Sequence, residues 1–306
     1  MTDIDISVFH ADFIEQIKAS LAQNRLAHGI LLNNIDHLPL EPLLTKLTTV
    51  LLEHDIVDDL ATAADVFYLK SDDGQIKIDQ IKNLLEGIYL TSHGAKAKVI
   101  ILCPLEALNT SAANALLKSL EEPPENTYFL MTTNQLQWIM PTLRSRVQVF
   151  DLALTLAQKK AYLRQKYQMN DEDIAKALAI SKADLRVIDR IKTDKSFWQL
   201  RKELIQVIQG QLSPLALTID INAYYQDAIY WLTSLLIDAY YYRLDSLQTM
   251  PTQEQKALLE GLIKRYDHIA LYGFYQRLLK LKAYEGKHYN VNKQLAIESF
   301  LIELSA

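Results

Sequence analysis

The stretch KVIILCPLEALNTSAANALLKSLEEPPENTYFLMTT, residues 98–133, reads as strand, helix, strand. Its ends, KVIILC (98–103) and YFLMTT (128–133), are short apolar runs of strand length. Between them NTSAANALLKSLEE is a helix that stops at Pro123-Pro124, because proline cannot continue the backbone hydrogen-bond ladder. Fully apolar strands separated by a helix indicate a parallel pair covered on both faces.

The same alternation extends outward. GILLN (29–33), VFYLK (66–70) and VQVF (147–150) are three further strands. Helical spacing places Phe13, Ile14, Ile17 and Leu21 on one face over 10–24. A second helix is expected at 40–53 and a third at 77–90, with Ile78, Ile81, Leu84, Leu85 and Ile88 on one side. The fold class is therefore α/β then all-α: a parallel five-stranded sheet domain over 1–152, followed by helices alone. LAQKKAYLRQKY, DEDIAKALAIS and KADLRVIDRI read as three short helices of a small domain at 153–195. Longer helices such as FWQLRKELIQVIQ and NKQLAIESFLIEL make a third domain at 196–306.

Composition narrows the function. Of the 306 residues, 49% are hydrophobic and 23% charged, which suits a globular protein with a real core. No apolar run approaches the ~20 residues of a membrane span, and MTDIDISVFH has neither the positive flank nor the apolar core of a secretory signal, so a cytoplasmic protein is expected. The net charge of −5 does not suit a chain that grips DNA by itself. A single cysteine, Cys103, excludes an internal disulfide and any multi-cysteine zinc site. The seven histidines are scattered without metal spacing; His28, just ahead of an apolar strand, is expected in the core. Tyr224-Tyr225 and Tyr240-Tyr241-Tyr242 point round their helices and are expected to pack rather than stack on bases.

A parallel α/β domain invites a nucleotide at the turn after its first strand. A phosphate-binding loop there needs glycines for close backbone approach, a lysine for the β- and γ-phosphates and a hydroxyl for Mg²⁺. The chain has instead LNNIDHLPLEPLLTKL, without glycine and with two carboxylates, Asp36 and Glu41, that repel phosphate. After the third strand the nearest carboxylate, Glu106, falls past the place where a metal-binding acid should stand. Neither ATP nor zinc is expected in this chain.

PTLRSRVQVF (141–150) places Arg144, Ser145 and Arg146 between a short helix and a strand. Spacing alone reads the arginines as solvated helix-end residues favoured by the helix dipole. Glu121 and Glu122 are not an acid–base pair, because helix neighbours do not face each other.

Three stretches resemble bacterial clamp-loader subunits of the AAA+ family: ALNTSAANALLKSLEEPPENTYFLMTTN, PTLRSRVQVF and NRLAHGILL. The second is similar to their Ser-Arg-Cys segment, with Val147 where the cysteine usually stands. WLTSLLIDAYYYR (231–243) and NVNKQLAIESFLIEL resemble the collar helices of the delta-prime branch of DNA polymerase III clamp loaders. That branch has a degenerate nucleotide site; the gamma/tau branch has an intact loop and a cysteine module, and this chain has neither.

The resemblance implies an AAA+-type sheet domain, a small helical lid and a helical collar that oligomerises. It implies that Arg146 is an arginine finger offered in trans to an ATP site on gamma/tau, with Ser145 beside it as a motif neighbour. Glu121, Glu122, Pro123 and Arg144 fall at a subunit interface. Arg186, in DLRVIDR, falls at the sensor-2 position, with an ion pair between the first two domains as its expected role. Partners would be gamma/tau and delta and, through the complex, the sliding clamp and primed DNA. The chain would not be an enzyme by itself but part of the DNA polymerase III holoenzyme. An active ATPase of the gamma/tau type and a non-replicative helical scaffold are the alternatives.

Overall fold

The computed structural model describes residues 4–53, 56–71, 75–90, 97–244, 253–285 and 292–305. Five strands, β1 (Gly29–Asn34), β2 (Val66–Lys70), β3 (Lys98–Cys103), β4 (Thr127–Thr133) and β5 (Gln148–Leu152), form one sheet in the order β2-β3-β4-β1-β5. Every pairing is parallel. The expected α/β sheet followed by helices is the observed architecture.

The stretch at 98–133 folds as it reads. Val99, Ile100, Ile101 and Leu102 of β3 and Phe129, Leu130 and Met131 of β4 are completely buried. Between these strands runs α4 (Thr110–Glu121), capped by Asn109, whose side chain accepts from the Ala112 N–H at 2.8 Å. Ala112, Leu116 and Leu120, four apart, form its buried face. Each fully buried leucine here is worth about 1.5–3 kcal/mol relative to exposure. Alternate strand residues Leu31, Ile100, Leu102, Phe129 and Met131 share one apolar cluster with α4 and with Ile81 and Ile88 of α3 (Ile78–Leu90). On the remaining side α2 (Glu41–Leu52) packs on β3, with α1 (Ala11–Ala22) against α2.

One boundary differs from the sequence reading. β5 covers 148–152 rather than 147–150, pairing in register from Ile30↔Gln148 to Asn34↔Leu152. Asp151 belongs to the strand because it pairs with Asn33 of β1; Asn33 Nδ2 also donates to its Oδ1 at 2.7 Å.

The packing divides the chain into two compact units, one ending at Lys176 and one beginning at Ala177. The first unit also contains α5 (Pro141–Arg144), between β4 and β5, and α6 (Leu156–Tyr167), after β5. The division falls within α7 (Asp171–Ile180). The second unit holds α8 (Leu185–Thr193), α9 (Lys195–Ile208), α10 (Tyr225–Arg243), α11 (Gln253–Arg265), α12 (His268–Glu285) and α13 (Lys293–Ser305). Its core joins Leu200, Leu204 and Ile208 of α9 to Leu232 and Leu236 of α10, Leu262, Leu278, and Phe300 and Leu304 of α13. Tyr225 is buried in it and Tyr224 and Tyr242 pack against it, while Tyr241 is exposed.

Glu203 closes the loop after α9. Its carboxylate accepts from Thr218 N at 2.8 Å, Ile219 N at 3.3 Å, Gln199 Nε2 at 3.1 Å and the Thr218 hydroxyl. Burial alone would raise this carboxyl; the hydrogen bonds outweigh it and hold it below the ordinary glutamate range. A depressed carboxyl stabilises above its unfolded pKa and loses that contribution as pH falls through its folded pKa. Glu203→Gln should therefore cost about 2 kcal/mol at neutral pH in urea titration, with the difference shrinking as pH falls through the carboxyl's folded pKa.

Candidate functional site

Two regions of the sheet domain bear on function: the turn after β1, and the junction between α5 and β5.

The turn after β1 is closed by the chain's own groups. Asn34 clamps the turn, accepting from Leu38 N at 3.0 Å and donating to the Leu38 carbonyl at 2.9 Å. The Asp36 side chain is 4% exposed; its Oδ2 accepts from Leu154 N at 2.7 Å and its Oδ1 pairs with Lys159 Nζ at 2.6 Å. Lys159 lies on α6, whose N-terminus carries a reciprocal cap between Thr155 and Gln158. Gln158 Nε2 also donates to the Phe9 carbonyl at 2.7 Å. The turn, the start of α6 and the N-terminal segment are thereby tied together around a buried ion pair. His10 is buried beside them, and desolvation lowers its pKa against the opposing pull of Asp36.

The N-terminus of α2, the positive end of the helix dipole, carries the carboxylate of Glu41. Lys70 Nζ meets it at 2.7 Å and Tyr68 Oη at 3.4 Å. An acid of the chain thus stands where a phosphate-binding helix would present bare N–H groups. At the end of β3, Glu106 accepts from Asn134 N at 2.9 Å, bridging towards the end of β4. Thr132 is buried, with its hydroxyl 2.9 Å from Cys103 Sγ, and burial pushes that thiol up. Cys103 itself is partly buried.

The α5–β5 junction faces solvent. Pro141 opens α5 with its fixed φ, and Arg144 N, Ser145 N and Arg146 N close the turn on the carbonyls of Met140, Pro141 and Leu143 at 3.0 Å each. Ile139 and Leu143 are buried, and Val147 packs partly buried in the same cluster. These anchors, spaced by four, pin the segment and leave Arg144, Ser145 and Arg146 exposed. Ser145 Oγ donates to the Thr142 carbonyl at 3.0 Å. Arg146 Nη1 donates to the same carbonyl at 2.8 Å and to Ser145 Oγ at 3.3 Å. Its Nη2 is ion-paired with Glu121 at the end of α4.

Gly29 sets this geometry. A Cβ there would lie 3.0 Å from Val147 Cγ1, 3.2 Å from the Arg146 carbonyl and 3.4 Å from Leu120 Cδ2. The start of β1, the end of α4 and the junction approach so closely only because residue 29 has no side chain. Gly29→Ala should cost about 1–3 kcal/mol by overpacking, read by urea titration, because a backbone oxygen must give way.

The remaining expected residues fall as follows. Glu121 and Glu122 are exposed and Pro123 is half-buried, so of this acidic end Glu121 alone is seen to meet Arg146. Arg186 pairs with Asp184, the cap of its own helix, through Nη2 at 2.7 Å and Nε at 3.1 Å. His28 is exposed rather than in the core, its Nδ1 3.3 Å from the Thr127 carbonyl and its ring stacked on Tyr128. It precedes the first buried residue of β1, and the apolar run begins only after it. The pairs Asp36–Lys159 and Glu121–Arg146 were not read from the sequence. Among the described residues no helix is long and apolar enough to cross a membrane.

Residues 9–155 match the family described as DNA polymerase III, delta subunit, and residues 195–306 match DNA polymerase III, delta subunit, C terminal. DNA polymerase III subunit delta' of Yersinia pestis is 32% identical over 200 residues, which are 61% of this chain and 58% of the relative. The Escherichia coli K12 subunit of the same name is 28% identical over 185 residues, 58% of this chain and 55% of the relative. The chain thus spans somewhat over half the length of these curated relatives. A gamma subunit-related protein of DNA polymerase III from Thermotoga maritima superposes with a TM-score of 0.46 at 18% identity, covering 95% of this chain and 98% of that one.

Proposed function

The chain belongs to the DNA polymerase III delta-subunit family, and from that membership we propose that it is a delta-prime-type, non-hydrolysing subunit of a bacterial replicative clamp loader. In this reading it assembles with gamma/tau and delta. It supplies Arg146 in trans to the ATP site of an adjoining gamma/tau subunit, and through the complex it helps place the sliding clamp on primed DNA.

One contrast carries the reading. The turn that would hold a triphosphate is filled by the Asp36–Lys159 pair, while an arginine stands exposed on a pinned junction of the same sheet. A buried carboxylate in the turn and a second at the helix N-terminus oppose phosphate in this chain's own site. A planar, permanently charged guanidinium at the edge suits phosphate oxygens on another protein. Charge developing on the transferred phosphoryl group is then stabilised from outside, so hydrolysis depends on correct assembly. Ser145 orients the finger through its hydroxyl; Glu121, Glu122, Pro123 and Arg144 contribute to the contact with that neighbour. The division into a sheet domain at 1–152, a lid at 153–195 and a collar at 196–306 belongs to the same proposal. The chain works in the cytoplasm.

The test is reconstitution. The chain is mixed with gamma/tau and delta, co-elution is recorded, and ATP hydrolysis is measured with and without primed template and clamp. Stable co-elution together with hydrolysis that depends on this chain supports the reading. Failure to associate favours a helical scaffold without a replicative role, and saturable micromolar ATP binding by the isolated chain favours an ATPase of the gamma/tau type.

A further inference from the structure

Arg146 is held by its own chain. Its Nη2 is paired with the Glu121 carboxylate, and its Nη1 donates to the Thr142 carbonyl and Ser145 Oγ. Both terminal nitrogens are thus directed to internal acceptors. A bidentate grip on phosphate needs two parallel N–H donors from one edge of the guanidinium. The Nη1–Nη2 edge, both of whose nitrogens already donate inside the chain, turns to phosphate only as those bonds are released.

From this competition we infer that Glu121 is a latch on Arg146: a positioning residue that stores the guanidinium against the end of α4 and yields it to a neighbour's triphosphate. The inference rests on the trans role proposed above. Its physics lies in unequal charges and surroundings. Glu121 is 48% exposed and Arg146 34%, so solvent screens their attraction and the pair has the modest strength of a surface salt bridge. A triphosphate carries more charge and meets the arginine where water is largely excluded, so it wins the exchange once the neighbour is seated. Before that, the carboxylate keeps the guanidinium neutralised and in one place, which limits hydrolysis by incompletely engaged assemblies.

The architecture favours a device of this kind. Glu121 is the last residue of α4, ahead of the Pro123-Pro124 stop, so its position is fixed by a helix buried along Ala112, Leu116 and Leu120. Arg146 follows the anchor Leu143. Gly29 lets these two rigid ends approach. The pair therefore joins two well-held pieces of backbone rather than two mobile loops.

The experiment uses the complex reconstituted with gamma/tau and delta, with subunit co-elution checked for every variant. ATP hydrolysis without DNA or clamp is measured for wild type, Glu121→Gln, Arg146→Ala and the double variant. Since an exposed pair contributes little, Glu121→Gln should raise the DNA-independent rate by about two- to fivefold. It should change nothing in the Arg146→Ala background. If Glu121→Gln impairs co-elution, Glu121→Asp, whose shorter arm draws the charge back, provides the same readout. An unchanged or lower rate in an intact complex overturns the latch, as does an equal rise without Arg146. Should Arg146→Ala alone keep the wild-type rate once primed template and clamp are added, the trans role itself fails. Should it slow hydrolysis while the Glu121 variants raise nothing, only the latch fails.

Discussion

Replacing Arg146 by alanine is expected to leave the complex with gamma/tau and delta intact and to slow ATP hydrolysis at the adjoining site by ~10³ or more, the scale of arginine fingers in other NTPases. The chain's own stability should change by less than about 0.5 kcal/mol, since the side chain is exposed and its pair with Glu121 is a surface pair. The overall DNA-stimulated rate falls less than the rate at that one site, because other sites in the complex keep their own arginines. Arg146→Lys should resemble alanine more than wild type: the ammonium keeps the charge but not the planar fork. Steady-state hydrolysis with primed template and clamp reads both variants. Equal rates in wild-type and Arg146→Ala complexes of equal composition would remove the finger from the account.

The second large effect concerns the filled turn. Asp36→Ala leaves Lys159 with its charge largely out of solvent and Leu154 N without its acceptor. Breaking a buried pair from one side costs roughly 3–5 kcal/mol, much of it for the charge left behind. Replacing both partners by apolar residues, Asp36→Leu with Lys159→Met, should recover the part of that loss that comes from the Lys159 charge, while Leu154 N still lacks its acceptor. Urea titration followed by a probe in the sheet domain measures both; if the single and double variants lose equal stability, the ion pair does not organise this turn. Neither variant should acquire ATP binding, because Glu41 still occupies the start of α2.

The sheet was legible because burial on both faces writes itself into composition. Strands such as KVIILC and YFLMTT have no polar alternation, and a proline pair marks where the intervening helix must stop. The end of β5 was less legible: Asp151 breaks the apolar run, and its place in the strand depends on Asn33, far away in the chain. Arg146 could be placed on the surface because arginines at the end of a short helix read as solvated and favoured by its dipole. Its partner could not be foreseen, since Glu121 reaches it only through the close approach at Gly29. Asp36 shows the same limit. Its charge was visible and its opposition to phosphate followed, but nothing local identified Lys159 as its counter-ion. His28 was misplaced because adjacency to a buried strand says nothing of which way the preceding residue faces. Periodic patterns report the face an element buries; pairs between distant single residues leave no period to read.

The most direct measurement counts ATP in a single turnover. The reconstituted complex, wild type or Arg146→Ala, is saturated with labelled ATP, and bound and hydrolysed nucleotide are both quantified after addition of primed template and clamp. The account expects the same number of ATP molecules bound in the two complexes and one fewer hydrolysed in the fast phase of the variant. One fewer ATP bound, or an undiminished fast phase, would contradict the claim that this chain surrenders its own nucleotide site yet completes another's.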